Sequence, residues 1–142
     1  MSTIFTRVIE GEIPGRFVWR DETTVAFLPV ALLAPGHTLV VPIDPVDHWI
    51  DLAPEANARL WRVAQTISRA LDEIYRPLKV GVLVVGEEVP HTHVHLVPFT
   101  DLAQMSFANV DSSPAPEVLD RQAEALRVRL RAAGHGDFVP TP

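Results

Sequence analysis

The chain has 142 residues, of which 47% are hydrophobic and 21% are charged, proportions typical of a folded globular domain rather than a disordered segment. Twelve basic and eighteen acidic residues give a formal net charge of −6, which argues against broad binding to nucleic acids or anionic membranes. The absence of cysteine excludes disulfides, thiolate nucleophiles and cysteine-ligated zinc. Because the N-terminus lacks the apolar run of a signal peptide and no stretch is long and apolar enough for a membrane span, we expect a cytoplasmic protein.

The N-terminal third predicts one short helix and three strands. Residues 3–10 can form a short helix that ends at Gly11. Residues 17–20 and 25–28 have the composition of strands and are separated by the turn-like D-E-T. Residues 37–43 follow Pro35-Gly36 and have the composition of a buried strand.

The rest of the chain predicts two helices with a strand pair between them. Pro54 opens a long helix that ends before Pro77, with an apolar stripe at Ala56, Leu60, Val63, Ile67, Ala70 and Ile74. Residues 80–85 form an apolar run of strand length, and residues 99–115 lack a regular pattern. A last helix from about Pro116 carries a second stripe, followed by Gly134 as a C-cap: Leu119, Ala123, Leu126, Leu130 and Ala133. This order favours an α+β fold with a mainly antiparallel sheet.

Three of the six histidines, His91, His93 and His95, stand at alternate positions in H-T-H-V-H-L-V-P. In a strand, alternate side chains point to the same face, so we expect these rings to line one face of the sheet. Successive positions on one face lie roughly 7 Å apart, which predicts a row of rings rather than a tight cluster.

Residue spacing leaves two kinds of chemistry open for this row. Imidazole is a common metal ligand, and Glu87 and Glu88 are close enough in sequence to complete a metal site. In the other interpretation, one imidazole attacks phosphorus while the others handle charge and protons without a metal. His37, at the start of the predicted third strand, is available to either site. Spacing alone does not choose between them.

H-T-H-V-H-L-V resembles the histidine triad (HIT) motif His-φ-His-φ-His-φ-φ, in which Thr92 is the one φ position that is not apolar. Four further stretches resemble consecutive blocks of the same family: T-I-F-T-R-V-I-E-G-E-I-P (3–14), D-E-T-T-V-A-F-L (21–28), P-G-H-T-L-V-V-P (35–42) and G-E-E-V-P-H (86–91). The resemblance covers about residues 2–109 and is strongest for the Hint-like bacterial branch. It implies a single HIT-like domain over residues 1–142, with about five strands, one long helix, and a C-terminal loop and helix in 110–142.

The resemblance also implies roles for four histidines at the α-phosphate of a nucleotide. His93 would be the nucleophile that forms a covalent nucleotidyl-histidine intermediate. His95 would contact the phosphate oxygens and assist the leaving group, and His91 would orient the neighbouring ring. His37 would add a fourth imidazole at the phosphate. This chemistry needs neither a metal nor another cofactor, and a neutral imidazole, with an ordinary pKa of about 6.5, is a competent nucleophile near pH 7.

For the nucleotide, the resemblance implies an apolar base pocket and a loop at the phosphate. The pocket maps to Ile4, Phe5, Ile13, Phe27 and Val30, and the loop maps to Gly86, Glu87, Glu88 and Val89. Two departures stand out. Thr3 and Thr6 occupy the positions of a zinc-binding Cys-x-x-Cys in many relatives, so no structural zinc is expected. Pro29 replaces an Asp that accepts hydrogen bonds from the ribose in many relatives.

The resemblance therefore implies a homodimeric hydrolase that cleaves at the α-phosphate of a purine nucleotide or nucleoside phosphoramidate, similar to an adenosine 5′-monophosphoramidase. Within the same chemistry, a dinucleoside polyphosphate hydrolase and a nucleotidyl transferase are the alternatives. Two other classes stay open: a histidine-ligated metalloenzyme, and a nucleotide-binding regulator whose turnover is incidental. Neither nucleic acid nor membrane is expected as a partner.

Overall fold

The computed structural model describes residues 2–142, which form the predicted α+β fold. Five strands make one antiparallel sheet in the order β1-β2-β3-β5-β4. The strands are β1 Phe17–Arg20, β2 Thr24–Phe27, β3 Thr38–Pro42, β4 Lys79–Leu83 and β5 Val94–Phe99. The main helices are α1 Ile4–Ile9, α2 Pro54–Tyr75 and α3 Pro116–Leu130. Within residues 2–142, no helix has the length and apolar composition that crossing a membrane requires.

Helix α1 begins at a capping box. The Thr3 hydroxyl accepts a hydrogen bond from the Thr6 N–H, and the Thr6 hydroxyl accepts one from the Thr3 N–H, both at 3.1 Å. These bonds satisfy donors that a helix N-terminus leaves unpaired, so a helix of only six residues can begin here. Through Phe5 and Val8, α1 packs on one face of the sheet.

Helix α2 covers the opposite face of the sheet. It has Pro54 in its first turn, where the missing N–H has no intrahelical partner to lose. The predicted stripe is buried along the middle of the helix, at Leu60, Val63, Ile67 and Ala70. Ala56 and Ile74, at its two ends, are only partly buried.

Helix α3 packs beside α2 and against β1, so the C-terminal helix caps the sheet. Its buried residues include Leu119, Ala123, Leu126 and Leu130. The prediction that this stripe continues to Ala133 is wrong. Ala133 is exposed because the α-helical period ends at Leu130 and one wider, π-type turn follows.

The turn before β3 depends on Gly36. Its φ of +89° lies in the left-handed region, and a Cβ atom at this position would lie 2.5 Å from the ring of Tyr75 in α2, so a side chain does not fit. The Gly36 N–H donates to the side-chain oxygen of Gln122 in α3 at 3.0 Å. Because this turn delivers His37 to the start of β3, α2 and α3 together hold that histidine in place.

Strand β4 forms one edge of the sheet and, within the described residues, pairs only with β5. Of the apolar run predicted at 80–85, residues up to Leu83 belong to this strand, which is half open to solvent, with Val82 45% exposed. A continuous apolar run is typical of a strand that is covered on both faces. The edge position leaves part of this apolar surface uncovered.

Residues 100–111, called here the crossing segment, lead from β5 toward α3 in two short 3-10 turns, Leu102–Met105 and Phe107–Asn109. Met105 packs against Gly81 of β4. At the other end, Asp111 and Leu32 exchange two backbone hydrogen bonds of 2.9 and 2.8 Å. The segment that the sequence left without a pattern is therefore anchored at both ends.

Candidate active site

The three alternating histidines lie at the start of β5 and just before it. Because β5 begins at Val94, only His95 belongs to the strand, whereas His91 and His93 precede it. The backbone N–H and the hydroxyl of Thr92 both donate to the carbonyl oxygen of Val46, at 2.7 and 2.8 Å. These two bonds fix the short stretch that carries His91 and His93.

The imidazole rings form a connected row that begins at Phe5. Ring centroids lie 4.9 Å apart for Phe5 and His93, 4.9 Å for His93 and His95, and 5.2 Å for His95 and His37. These centroid distances are shorter than the roughly 7 Å that separates successive residues on one face of a strand. The His93 and His95 rings are inclined toward each other and meet edge to face. All four histidines of the site, including His91, are at most 8% exposed.

Hydrogen bonds determine which nitrogen of His91 and of His93 carries the proton. His91 Nε2 lies 2.7 Å from the carbonyl oxygen of Pro42, which only accepts, so this nitrogen is protonated. The Nδ1 atom of a neutral His91 then accepts, and the Thr3 hydroxyl donates to it at 2.8 Å. His93 Nδ1 donates to the carbonyl oxygen of His91 at 2.7 Å. Nε2 of a neutral His93 is left with a free lone pair, which is the state an attacking imidazole needs.

A second chain of hydrogen bonds orients His95. The backbone N–H of Leu33 donates to His37 Nδ1 at 3.0 Å, so a neutral His37 carries its proton on Nε2. That N–H donates to His95 Nδ1, also at 3.0 Å. His95 is therefore protonated on Nε2. Both nitrogens of His37 bond within the protein, one of them to His95, and a role for this ring at a phosphate stays a prediction.

Burial keeps the four rings neutral near pH 7. It is the largest cause that lowers the pKa of His37 to about 3 and that of His95 to about 4, and neighbouring histidines add to the effect. Burial also lowers the pKa of His91 and of His93, against the opposing effect of their hydrogen bonds to carbonyl oxygens. The Glu88 carboxylate further opposes the lowering at His93.

The predicted base pocket is brought together in part. Phe5, Phe27 and Ile13 share one apolar cluster, which adjoins the histidine row because Phe5 contacts the row directly. Ile4 and Val30 lie outside this cluster and are 51% and 76% exposed.

The predicted phosphate loop lies beside His93. Gly86 and His93 line the same small cavity, which has a volume of about 200 Å³. Val89 is partly buried against the cluster that contains the base-pocket residues. Glu87 and Glu88 are exposed on this loop.

A larger cavity of about 720 Å³ lies elsewhere, between β1, α2 and the C-terminus, and Trp19, Arg62 and Phe138 contribute to its lining. It contains none of the four site histidines. Because the reactive groups are concentrated in the histidine row, we place the candidate site at the row.

Three groups in the site were missed by sequence reasoning: Thr3, the Leu33 N–H and Phe107. The T-x-x-T spacing at Thr3 indicates a helix start, but it carries no information about a contact with His91, 88 residues away. Phe107 lies edge to face against His95, with centroids 5.2 Å apart. No periodic pattern in residues 99–115 distinguishes Phe107 from its neighbours.

The antiparallel sheet and its row of histidines define a protein of the HIT-domain class. A family model described as the HIT domain matches residues 10–102. The chain belongs to this family, as the motif indicates. An uncharacterised HIT-like protein of Borreliella burgdorferi is 33% identical over 102 residues, covering 67% of this chain and 73% of that protein. A purine nucleoside phosphoramidase of Escherichia coli is 28% identical over 110 residues, covering 73% of this chain and 92% of that protein.

A solved structure of a zinc-bound histidine triad family protein from Mycobacterium smegmatis is similar over 96% of this chain and 98% of that one, with 25% identity and a TM-score of 0.79. Within residues 2–142 of this chain, no group of three His, Asp or Glu side chains is arranged to hold a metal ion. The hydroxyls of Thr3 and Thr6 already bond to each other, and that of Thr3 also bonds to His91. The side chains of residues 2–142 are therefore not arranged to fit a bound metal ion.

Proposed function

We propose that this protein is a nucleotide hydrolase of the nucleoside phosphoramidase type, which separates an amine from the α-phosphorus of a purine nucleotide. One observation carries the proposal: the unprotonated Nε2 of His93 stands beside a His95 ring that is protonated on Nε2. A free nucleophile next to an N–H donor suits displacement at phosphorus, where negative charge develops on the oxygens. The phosphoramidase activity named for the Escherichia coli relative supports the same function.

In the first step, His93 Nε2 forms a bond to the α-phosphorus while the phosphorus–nitrogen bond breaks. The leaving nitrogen, protonated from solvent, departs as a neutral amine with the electron pair of that bond. His95 donates its Nε2–H to a phosphate oxygen. His95 Nδ1 already accepts a hydrogen bond from His37, so protonation of this nitrogen would break the bond between the two rings. His95 therefore stays neutral and acts as a hydrogen-bond donor through Nε2.

In the second step, a water molecule attacks the nucleotidyl-histidine. A bond forms from the water oxygen to phosphorus, and the electron pair of the phosphorus–Nε2 bond returns to His93. The proton released by the water passes to the departed amine or to solvent. The products are a nucleoside monophosphate and an ammonium ion, and the enzyme regains its starting state.

The charges around the site favour an amine over a polyphosphate as leaving group. Two carboxylates act on the pKa values of the site histidines: that of Asp44 raises the pKa of His91, and that of Glu88 raises the pKa of His93, in both cases against the larger lowering by burial. A polyphosphate leaving group would meet the negative charge of these carboxylates. This charge supports a phosphoramidase over a dinucleoside polyphosphate hydrolase.

The test measures the release of amine and of adenosine monophosphate from an adenosine 5′-phosphoramidate in excess EDTA. His93→Ala should lower kcat by at least about a thousandfold, because the nucleophile acts in the chemical step. His135→Ala is the control, since His135 lies beside Trp19 and outside the row. Alkaline quenching of the wild type during turnover should trap a nucleotidyl group on His93, because the phosphorus–nitrogen bond is labile in acid and persists in alkali.

Other outcomes identify the rival functions. Activity that is lost in EDTA and restored by one metal ion per chain would indicate a histidine-ligated metalloenzyme. A wild type that cleaves a dinucleoside polyphosphate faster than the phosphoramidate would indicate the polyphosphate hydrolase. Tight nucleotide binding without turnover of either substrate would indicate a nucleotide-binding regulator. Near-normal turnover by a folded His93→Ala protein would remove His93 from the role of nucleophile.

A further inference from the structure

Phe107 is a half-exposed aromatic residue that lies directly against the candidate site. Its ring meets the His95 ring edge to face at an interplanar angle of 71°. Phe107 is 45% exposed, whereas His95 is 8% exposed. Much of the Phe107 ring therefore stays available to a molecule that occupies the space beside His95.

The crossing segment presents this ring from an anchored position. The Ser106 hydroxyl accepts a hydrogen bond from the Ala108 N–H at 3.3 Å, and the Asn109 side chain donates to the carbonyl oxygen of Ala103 at 2.9 Å. On either side of Phe107, Met105 and Val110 pack into an apolar cluster on the sheet. The exposure of Phe107 is thus a property of an ordered turn, which makes its ring a defined surface.

Phe107 and Phe5 of the predicted base pocket contact different histidines of the row: Phe5 contacts His93, and Phe107 contacts His95. Phe5 and Phe27 belong to the cluster over β2 and β3. Leu83 of β4 pairs directly with His95, so both side chains point to the same face of the sheet. Strand β4, which carries Leu83, lies on the side of β5 away from β3. A nucleotide with its base over β2 and β3 would direct the departing group toward β4 and Phe107.

We propose that Phe107 and Leu83 form a subsite for the leaving group and that this subsite selects an amine with an aromatic substituent. The inference rests on the proposed phosphoramidase function. The two side chains offer apolar contact area, and an aromatic substituent can pack against the Phe107 ring in an edge-to-face or offset arrangement. An amine with no substituent beyond a methyl group leaves the ring of Phe107 without a partner.

The experiment compares two adenosine 5′-phosphoramidates, one of phenethylamine and one of methylamine, in the full-length protein. Phe107→Ala should lower kcat/KM for the phenethylamine substrate by about three- to tenfold, in line with an aromatic contact. It should change kcat/KM for the methylamine substrate by less than about twofold. Phe138→Ala is the matched control, because Phe138 is a 42% exposed phenylalanine that stacks on Trp19 away from the row.

The possible outcomes distinguish a failure of the proposed subsite from a failure of the proposed function. Equal losses for both substrates in Phe107→Ala would overturn the subsite and leave the phosphoramidase in place, because the ring would then act on His95 alone. The same two amines are also tested as guanosine 5′-phosphoramidates. If the loss of kcat/KM in Phe107→Ala depends on the nucleobase and not on the amine, Phe107 contacts the base, and the subsite is overturned. If the wild type hydrolyses neither substrate, the proposed function fails, and the subsite fails with it. Phe107→Leu, which keeps apolar area without a ring, should give an intermediate loss for phenethylamine only.

Discussion

Thr3 links the first helix to His93, the proposed nucleophile, through a single side-chain hydroxyl. This hydroxyl donates to His91 Nδ1, and the carbonyl oxygen of His91 accepts the Nδ1–H of His93. Thr3→Val keeps the shape of the side chain but leaves a buried ring nitrogen without a partner, at a cost of about 1–3 kcal/mol. We expect kcat on a phosphoramidate to fall about tenfold while KM changes less than about threefold, because the nucleotide contacts remain. Thr3→Ser should restore kcat.

Thr6→Val separates the loss of the helix cap from the loss of the histidine contact. It removes the other half of the capping box and leaves the bond from Thr3 to His91 in place. Each variant should lose a cap interaction of about 0.5–2 kcal/mol, visible as a lower Tm. Only Thr3→Val should lose kcat. The same kcat in Thr3→Val and Thr6→Val would show that the hydroxyl does not position the site.

The buried histidines predict that the folded state is sensitive to acid. The pKa of about 3 for His37 and about 4 for His95 lies below the ordinary 6.5. The unfolded chain therefore binds protons that the folded chain does not, so their contribution to stability is complete above pH 6.5 and is lost as the pH falls toward the folded values. Between pH 7 and pH 5, each ring should lower the free energy of unfolding by about 2 kcal/mol.

Urea unfolding at pH 7, 6 and 5 measures this loss. His37→Asn has no group at position 37 that titrates in this range. The loss between pH 7 and pH 5 should therefore be smaller than in the wild type by about 2 kcal/mol, whatever the absolute stability of the variant. A pH dependence identical to that of the wild type would contradict the neutral, buried state of His37.

Among the elements, those with local signals were predicted well. Pro54 marks the first turn of α2, and the apolar stripe of that helix repeats over many turns, so its position could be read from neighbouring residues. The alternation of His91, His93 and His95 is also local, and the His93 and His95 rings do lie side by side, but His91 and His93 precede the strand in which the alternation predicted them.

The remaining elements depend on contacts between distant parts of the chain. The apolar run at β4 predicts a strand, but periodicity does not report whether another strand lies beyond it, so the exposed edge could not be foreseen. In the crossing segment, the contact between Phe107 and His95 arises from where β5 and β4 place the turn. The bond from Thr3 to His91 likewise exists only because α1 packs on the sheet beside β5.

The loop between β4 and β5 carries a charge that acts on His93, the proposed nucleophile. The Glu88 carboxylate raises the pKa of His93 against the larger lowering caused by burial. Glu88→Gln removes a negative charge that stabilises the protonated ring, so the pKa of His93 should fall. The acid limb of the pH profile of kcat/KM should then move to lower pH, and the shift should shrink at high salt because exposed charges are screened. Glu87→Gln, one residue along the same loop, is the control, and an equal shift in both variants would rule out a specific effect of Glu88.

For the molecule as a whole, the uncovered edge of the sheet predicts a homodimer. β4 has only one neighbouring strand in the described residues, and Leu78 and Val82 near its two ends are 68% and 45% exposed. A second copy would cover this apolar edge and satisfy its backbone groups. Light scattering should give about twice the 15.7 kDa chain mass.

Val82→Glu tests this interface by placing a charge on the edge strand. We expect the measured mass to fall toward that of one chain. Val128→Glu introduces the same charge on the 55% exposed valine of α3 and should leave the dimer intact. A wild type that is monomeric at micromolar concentration and fully active would refute the dimer.

The groups that orient the histidines are mostly main-chain atoms, and this has a consequence for how the protein tolerates mutation. The Leu33 N–H and the carbonyl oxygens of Pro42 and His91 determine where three of the rings carry their protons. A substitution at position 33 or 42 changes the side chain and leaves the orienting atom in place, with proline at position 33 as the exception, since proline has no N–H. The conformation of the backbone therefore determines which ring nitrogens are protonated, and this pattern can remain unchanged when the side chains at these two positions are substituted.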